Sequence, residues 1–485
     1  MKPQWCSRLI LILALMDLNA CAWADDIYVN CEIGSDVNTG ASDQEALKTL
    51  AEAMKRVQPG QTVHMAKTAT AYCEPLEFVN KSGAPGKPII VDGHGATISS
   101  AKPINPDDWT KVGEDLYRND KLLFPERLLR REKDNDSAVI SRFFFLWDGK
   151  INFMGRASKG DYPPLPKPGQ LKPGEWTFVD DEFAFYLKVH PGKTLREERI
   201  EYPTFRNAVT ITGECEHIII RNLIATHVVN DGVGLTGYSR DLLFDHFSAI
   251  ECGDDGMSAH EDNEFTTQDF VAIGNSTGIT HVSNSHSINR QAYFKHNNSH
   301  EIKLYGSGTH DFYDTVIIPK RQAIQVVNVA AENNPASMAN PAYDVGKDGI
   351  KLLLQNVWIY DDRASVTAKD RVFAVELWGP HRLVADRLTL SSVSLQGYQN
   401  ASLALTNSII GGERKPKISL DEQTSWSANH NSYDLNEIIA KGVHYPKSDF
   451  QTYRKATGQD ADSTWGSTSS TPPDLSSFPS QTATQ

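Results

Sequence analysis

The sequence is short of positive charge and of long apolar runs. It holds 48 Lys and Arg against 61 Asp and Glu, which gives a net charge of −13. A chain with this excess is not built to bind nucleic acid through bulk charge, so no nucleic-acid partner is expected. After residue 24, no stretch is long and apolar enough to cross a membrane, and no transmembrane segment is predicted.

The first 24 residues are typical of a secretory signal. Lys2 and Arg8 give a positive start, residues 9–16 form a short apolar run, and residues 22–24 (Ala-Trp-Ala) form a cleavage site. Residues 18–21 also resemble a lipoprotein box ending at Cys21. We expect a secreted or periplasmic protein, with an outer-membrane lipoprotein as the alternative.

Cysteine is scarce, with six in the chain, of which four follow the signal. In an exported chain four cysteines permit two disulfides, and we predict Cys31–Cys73 and Cys215–Cys252. Buried thiols are the alternative.

Residues 26–98 have a recognisable order of elements. A strand at 27–29 precedes a capping box of Ser42 and Glu45, which predicts a helix with apolar positions between 47 and 57. Turns and strands follow, including GAPGKPIIV at 83–91. This opening resembles that of secreted right-handed parallel β-helix proteins. The resemblance implies an all-β solenoid with an N-terminal capping helix.

Internal repeats favour the same fold. LIA at 223–225 recurs as FSA at 247–249 and FVA at 270–272, with spacings of 24 and 23 residues. DGV at 231–233 recurs as DGM at 255–257, again 24 residues on. A period of about 20–25 residues in β-rich units indicates a solenoid.

These features divide the chain into three parts. We predict a signal at 1–24, a right-handed parallel β-helix at 25–460 with an elaboration at about 101–200, and a disordered polar tail at 461–485. The protein is expected to be a monomer.

Residues 251–262 (ECGDDGMSAHED) are the most acidic candidate site. Neighbouring coils of a β-helix lie about 4.8 Å apart, so Asp231 is expected beside Asp254 and Asp255. Three adjacent carboxylates repel one another unless a cation binds them or they share protons. Ordinary Asp-Gly turns are the alternative interpretation.

A second resemblance concerns the order GDDGM (253–257), VAIGNS (271–276) and HEIKLYGSG (300–308). It is similar to the calcium-dependent pectate lyases of polysaccharide lyase family nine. The resemblance implies that Asp231, Asp254 and Asp255 bind Ca²⁺ and that Lys303 is the catalytic base. Strand alternation puts Lys303 on the opposite face from Ile302 and Leu304, in the groove if those two are core.

This sequence departs from the family at Ser258, where the family has a further ligand aspartate. Glu261 or Asp262 is the candidate replacement ligand. His260, His281 and Arg290 are candidates for an alternative base, acid or charge neutraliser.

The predicted function is polysaccharide degradation. The favoured reaction is β-elimination of an acidic, uronate-containing polysaccharide, with Ca²⁺ or arginine lowering the cost of the enolate-like intermediate. A glycoside hydrolase is the rival, since paired carboxylates would suffice and PGEWTF (173–178) with FAFYLKV (183–189) resembles β-helix hydrolases. A non-catalytic carbohydrate-binding or adhesion solenoid is the third possibility.

Overall fold

The computed structural model describes residues 26–122, 140–159, 162–327, 349–363 and 373–467. In these residues the backbone winds into a parallel β-helix, with 26 strands in one continuous sheet. The predicted all-β solenoid is therefore confirmed. The predicted signal and Cys21 lie outside the described residues. None of the helices in the described ranges has the length and apolarity that a membrane span requires.

The solenoid strands fall into three groups along the chain. The first group is Ile27–Val29, Thr62–Met65, Leu76–Val79 and Ile89–Ser99. The central group is Val209–Thr226, Val233–Ile250, Asp255–Gln268, Val271–Ile273, Thr277–His281, Asn284–Arg290, Tyr293–Lys295, His300–Tyr305, Ser307–Ile318 and Gln322–Val327. The last group is Ile350–Tyr360, Phe373–Trp378, Arg382–Ser391, Val393–Tyr398, Ser402–Thr406, Ile409–Gly411, Lys417–Leu420, Ser425–Asn429, Ser432–Tyr433, Glu437–Ala440, Val443–Pro446 and Thr464–Trp465.

The register of the central strands follows the sequence repeat. Val233 pairs with Val209 on one side and with Met257 on the other, in parallel. Phe247 pairs with Leu223 in the same way. The predicted spacing of 24 residues thus equals one coil, and each residue lies one strand spacing, about 4.8 Å, from its repeat. We call one such step a rung.

Long strands turn corners at single residues in the left-handed region. In Val209–Thr226 these are His217 (φ 55°) and Asn222 (φ 53°), and the next coil bends at Asp241 (φ 52°) and His246 (φ 50°). Asn, Asp and His tolerate this conformation better than other side chains do. Each corner residue lies 24 positions from its counterpart, so the corners stack like the strands.

A ladder of buried asparagines fixes one edge of the central coils. The amide Oδ1 of Asn275 accepts from the backbone N–H of Cys252 at 2.8 Å, and Asn297 Oδ1 accepts from the N–H of Asn275 at 2.9 Å. Asn275 Nδ2 donates to the carbonyl of Ala249 at 3.0 Å. Both side chains are fully buried. The ladder satisfies backbone groups that the turn leaves without strand partners.

Residues 101–203 leave the solenoid and return to it. Ile89 pairs directly with Ile218, so the coils on either side of the inserted segment are adjacent. The insertion holds two four-stranded sheets. Their strands are Thr110–Gly113, Leu116–Asn119, Trp176–Val179 and Ala184–Lys188 in one, and Ala101–Pro103, Phe145–Trp147, Lys150–Asn152 and Ile200–Pro203 in the other. Phe143, Phe145, Trp176 and Phe185 form its own aromatic core.

The capping helix begins later than the sequence pattern predicts. It runs Leu50–Arg56, and Thr49 is its N-cap, accepting from the N–H of Glu52. Ser42 makes no side-chain capping bond and precedes only the short 3₁₀ turn Asp43–Glu45. The reason is that Leu47 exchanges backbone hydrogen bonds with the first strand, which keeps the chain before Thr49 extended.

Two further predictions are wrong. The four cysteines within the described ranges are all free, so neither predicted disulfide forms. Cys215 and Cys252 are instead buried in the solenoid core, where they pack as small apolar residues. Ordered structure also continues past residue 460, because Thr464–Trp465 pairs with Ser432–Tyr433 after the helix Phe450–Thr457. Residues 468–485 of the predicted tail lie outside the described residues.

The asparagine ladder leads to a stability prediction. Asn275→Ala leaves the buried N–H of Cys252 without its partner and removes one hydrogen bond to the carbonyl of Ala249, so we expect a loss of about 1–3 kcal/mol in the free energy of unfolding. Urea denaturation measures it. Gln423→Ala, which truncates an exposed amide, should change stability by less than about 0.5 kcal/mol. Equal effects of the two substitutions would contradict the ladder's role.

Candidate active site

The central strands present one face to the core and the other outward. Met257, Ile279 and Ile302 stack in the core on successive rungs. Each is followed by a residue on the outward face, and these residues are Ser258, Thr280 and Lys303. Lys303 therefore lies two rungs, about 10 Å, beyond Ser258 along the solenoid.

Asp231, Asp254 and Asp255 meet where two coils enter their outward strands. The N–H of Asp255 donates to Asp231 Oδ1 at 3.1 Å, and the N–H of Gly232 donates to the carbonyl of Asp255 at 2.9 Å. One oxygen from each carboxylate lies within 4.8 Å of the other two. All three side chains are buried.

Glycines beside the aspartates allow this close stacking. A Cβ on Gly232 would lie 2.6 Å from the carbonyl oxygen of Gly256, and a Cβ on Gly256 would lie 2.6 Å from that of Gly278. Both distances are too short for any side chain. The glycine of each Asp-Gly pair is therefore required for close packing between coils, whatever the chemical role of the aspartate.

Two cations from the insertion reach the carboxylates. Lys159 Nζ lies 2.9 Å from Asp254 Oδ1 and 2.5 Å from Asp255 Oδ1. Arg142 Nε lies 2.9 Å from Asp254 Oδ2, and another Arg142 nitrogen donates to Asn230 Oδ1 at 2.9 Å. Ser158 also donates its hydroxyl to Asp254. The site is therefore built from the solenoid and the insertion together.

The three carboxyl groups differ in protonation. Burial opposes ionisation of Asp254, but the charges of Arg142 and Lys159 outweigh it and hold the pKa of Asp254 well below its ordinary value. Burial and then the charge of Asp254 raise the pKa of Asp255 to about 6, against the effect of Lys159. Burial and both neighbouring carboxylates raise the pKa of Asp231 well above its ordinary value. At neutral pH Asp254 is ionised.

His260 borders this cluster. It lies outward on the strand that begins at Asp255, and its Nε2 is 2.9 Å from the hydroxyl of Ser258. Burial and then the charge of Lys159 lower the pKa of His260 to about 4, so the ring is neutral at physiological pH. Ser258, where the lyase family has an aspartate, is a partner of this histidine.

Lys303 lies on the same outward face as Ser258, two rungs away along the solenoid. Its side chain is buried, and Nζ lies 5.0 Å from the ring centroid of Tyr305. His300 begins the same strand, and burial followed by the charges of Lys303 and Lys159 lowers its pKa well below the ordinary value. Lys303 and Lys159 therefore both act electrostatically on His300.

Three sequence-predicted residues lie away from the cluster. His281 points into the core between Ala259 and Leu304, with its ring 5.1 Å from that of Phe265. Arg290 is exposed on a different part of the coil and stacks over Tyr313 at 4.6 Å. Glu261 sits exposed at a left-handed corner (φ 72°), outside the group of three carboxylates. Strand alternation turns His281 inward, and the corner at Glu261 turns the chain away, which sequence spacing alone did not reveal.

The residues present do not fit a calcium ion. Ca²⁺ takes six to eight oxygen ligands, whereas here the ammonium of Lys159 already lies between Asp254 and Asp255, and Arg142 occupies the outer oxygen of Asp254. The oxygen spacing would suit an ion, but the charge is already balanced by side chains.

Arg142 and Lys159 were missed from the sequence. They lie 112 and 95 residues before Asp254, in a segment outside the repeat. The one available signal was physical: a buried group of carboxylates requires nearby cations, and the insertion was the remaining source of them.

Comparison with known proteins supports the fold. The sequence matches no protein-family model and no curated protein. A solved glycoside hydrolase aligns with a TM-score of 0.50 at 12% identity, over 90% of this chain and 99% of the other. XylC in complex with xylose aligns at 0.43 and 12% identity over 86% and 69%, and the pectate lyase Pel9A at 0.30 and 11% over 90% and 85%. At these identities the likeness shows the β-helix fold alone.

The buried ion pairs lead to a stability prediction. Arg142→Met leaves Asp254 short of one counter-charge, and because the arginine is partly exposed we expect a loss of about 1–3 kcal/mol in unfolding free energy. Arg196→Met is the matched control, since Arg196 also lies in the insertion and pairs with Asp107, but both are exposed. Its loss should stay below about 0.5 kcal/mol. Thermal or urea unfolding measures both, and an equal loss in the control would contradict the assignment.

Proposed function

We propose that the protein is a glycoside hydrolase that cleaves a polysaccharide on the outward face of its central coils. Asp255 is the general acid and Asp254 is the ionised carboxylate opposite it. A polysaccharide-processing role agrees with the carbohydrate-active enzymes among the solved structures of this fold. Those structural similarities do not indicate which reaction this protein catalyses.

The opposite pKa directions of two adjacent aspartates carry this proposal. Glycoside hydrolysis needs one carboxyl group that is protonated and one that is ionised at the same pH. Asp255, with its pKa raised to about 6, supplies the first, and Asp254, held well below its ordinary pKa, supplies the second. Paired groups whose environments separate their pKa values are the usual mark of an acid and its partner.

Each residue then has a distinct task. Asp255 donates its proton to the leaving glycosidic oxygen. The ionised Asp254 carboxylate attacks the anomeric carbon as the glycosidic C–O bond breaks, which forms a glycosyl ester. Water, deprotonated by Asp255, then hydrolyses this ester, releases the sugar and restores both aspartates. Arg142 and Lys159 keep Asp254 ionised. Both aspartates lie beneath Lys159, whose side chain is 18% exposed, so substrate entry requires the lysine side chain to move aside.

An acidic polysaccharide is the substrate class we propose. The cations that act on His260 and His300 are Lys159, Arg142, Arg206, Lys303 and Arg321. They concentrate positive charge along one face of a chain whose net charge is −13. A local excess of cations attracts and orients a polyanion despite the overall charge.

A lyase is the second candidate, on account of Lys303. It lies on the same outward face, about two rungs from the aspartates, which is the limit at which a base could share their substrate. In that reaction the cations would neutralise the uronate carboxylate and Lys303 would remove the C5 proton. The axial separation of about 10 Å, with the three further residues along the strand from His300 to Lys303, makes this the weaker proposal.

We also propose that the protein is exported, on the basis of residues 1–24. Its action on a polysaccharide outside the cytoplasm agrees with that location.

Substitution of the two aspartates tests the reaction. Asp254→Asn and Asp255→Asn should each lower the release of reducing ends from acidic polysaccharides by about 10²–10⁴-fold. Asp262→Asn is the control, since Asp262 lies on the same strand, is partly exposed and pairs with Arg240, and it should retain wild-type activity. Products carrying the absorbance of an unsaturated uronate, and lost in Lys303→Ala, would favour the lyase instead.

The activity should also depend on pH in a defined direction. Asp255 must carry its proton to act as the acid, and its pKa is raised to about 6. The value of kcat/KM, which reports the free enzyme, should therefore fall as pH rises through about 6. Asp254 is ionised both above and below pH 6, so its titration does not change kcat/KM in this pH range. A profile of kcat/KM that rises between pH 5 and about pH 8 would exclude Asp255 as the acid.

A further inference from the structure

The carboxylate group resembles a cation site that already contains its cation. Asp231, Asp254 and Asp255 approach within 4.8 Å of one another through single oxygens. The hydroxyls of Ser158 and Ser276 lie 2.6 Å apart at the same place, and Ser158 contacts Asp254. Carboxylate and hydroxyl oxygens in such a group are the hard donors that a divalent cation prefers.

Lys159 occupies the position between two of these carboxylates. Its Nζ lies within hydrogen-bond distance of both Asp254 and Asp255. Burial works against the charged amine, but the two carboxylates more than offset this and hold the pKa of Lys159 above its ordinary value. The ammonium thus remains charged at the place where a metal would bind.

The backbone that carries Lys159 is anchored to the solenoid. The N–H of Ser158 donates to Ser276 Oγ at 2.8 Å, and Ser299 Oγ donates to the carbonyl of Lys159 at 3.0 Å. Ser276 and Ser299 lie on two successive coils, and their own backbones are hydrogen-bonded to each other. Because the peptide groups of Ser158 and Lys159 are both hydrogen-bonded to the solenoid, the backbone fixes the position of Lys159 beside the aspartates.

We propose that Lys159 is a built-in cation that replaces a divalent metal ion at this site, so that the protein works without one. It neutralises Asp254 and holds Asp255 in place through a hydrogen bond, and it is a positioning residue. This inference rests on the proposed function and adds to it. Its test measures metal binding and not turnover, so the inference and the proposed function can fail independently.

The first measurement uses the unmodified protein. Calorimetric titration with CaCl₂ should detect no site at the aspartates, and the melting temperature should be the same in excess chelator as in millimolar Ca²⁺. A one-to-one calcium complex of the native protein, or a melting temperature that falls in chelator, would overturn the proposal. This measurement needs no variant.

The second measurement removes the lysine. Lys159→Ala should acquire one Ca²⁺ site and melt several degrees higher in Ca²⁺ than in chelator. Lys150→Ala truncates an exposed lysine of the same insertion and should acquire none. Lys159→Arg keeps the charge and should also acquire none. A folded Lys159→Ala that binds no Ca²⁺, or a Lys159→Arg that binds as tightly as Lys159→Ala, would show that the lysine does not hold the metal position.

Discussion

The parallel register between successive coils is the constraint on which the rest of this structure depends. It makes residues about 23 positions apart into neighbours at about 4.8 Å, whatever their chemistry. In the core this aligns apolar residues such as Met257 and Ile279. At the start of the outward strands the same register forces Asp231 and Asp255 together. The fold therefore concentrates like charges unless another part of the chain compensates.

The insertion supplies that compensation. The described residues of the insertion have their own aromatic core, which supports Arg142 and Lys159 at a defined place. Taking carboxylates out of water is costly, and only close, hydrogen-bonded counter-charges offset the cost. Arg142 and Lys159 both form ion pairs with Asp254, and Lys159 also pairs with Asp255. Because this pairing is uneven, the pKa of Asp254 is lowered while the pKa values of Asp231 and Asp255 are raised.

The sequence was sufficient to predict whatever depends on periodicity. The solenoid, the 24-residue register and the meeting of Asp231 with Asp254 and Asp255 all follow from repeats that can be counted. Features that depend on the direction of individual side chains or on contacts outside the repeat were not predictable. The inward turn of His281 requires knowing where each strand begins, and the corner at Glu261 is a single backbone dihedral. The disulfides failed for a related reason, since cysteines at core positions of a solenoid, such as Cys215 and Cys252, are equally well explained as apolar filling. Arg142 and Lys159 could not be found at all by spacing, because contacts between an insertion and a repeat have no period.

The ion pairs that stabilise the site also close it. Asp254 and Asp255 are almost wholly buried, and the group that covers them is the one that neutralises them. An incoming acidic sugar offers Lys159 and Arg142 an alternative anion, so the ammonium can exchange a carboxylate of the protein for one of the substrate without becoming unpaired. A neutral sugar offers no such exchange, and displacing Lys159 would then leave a buried charge uncompensated. The proposed replacement of a metal ion by Lys159 and the proposed preference for an acidic substrate therefore rest on the same geometry.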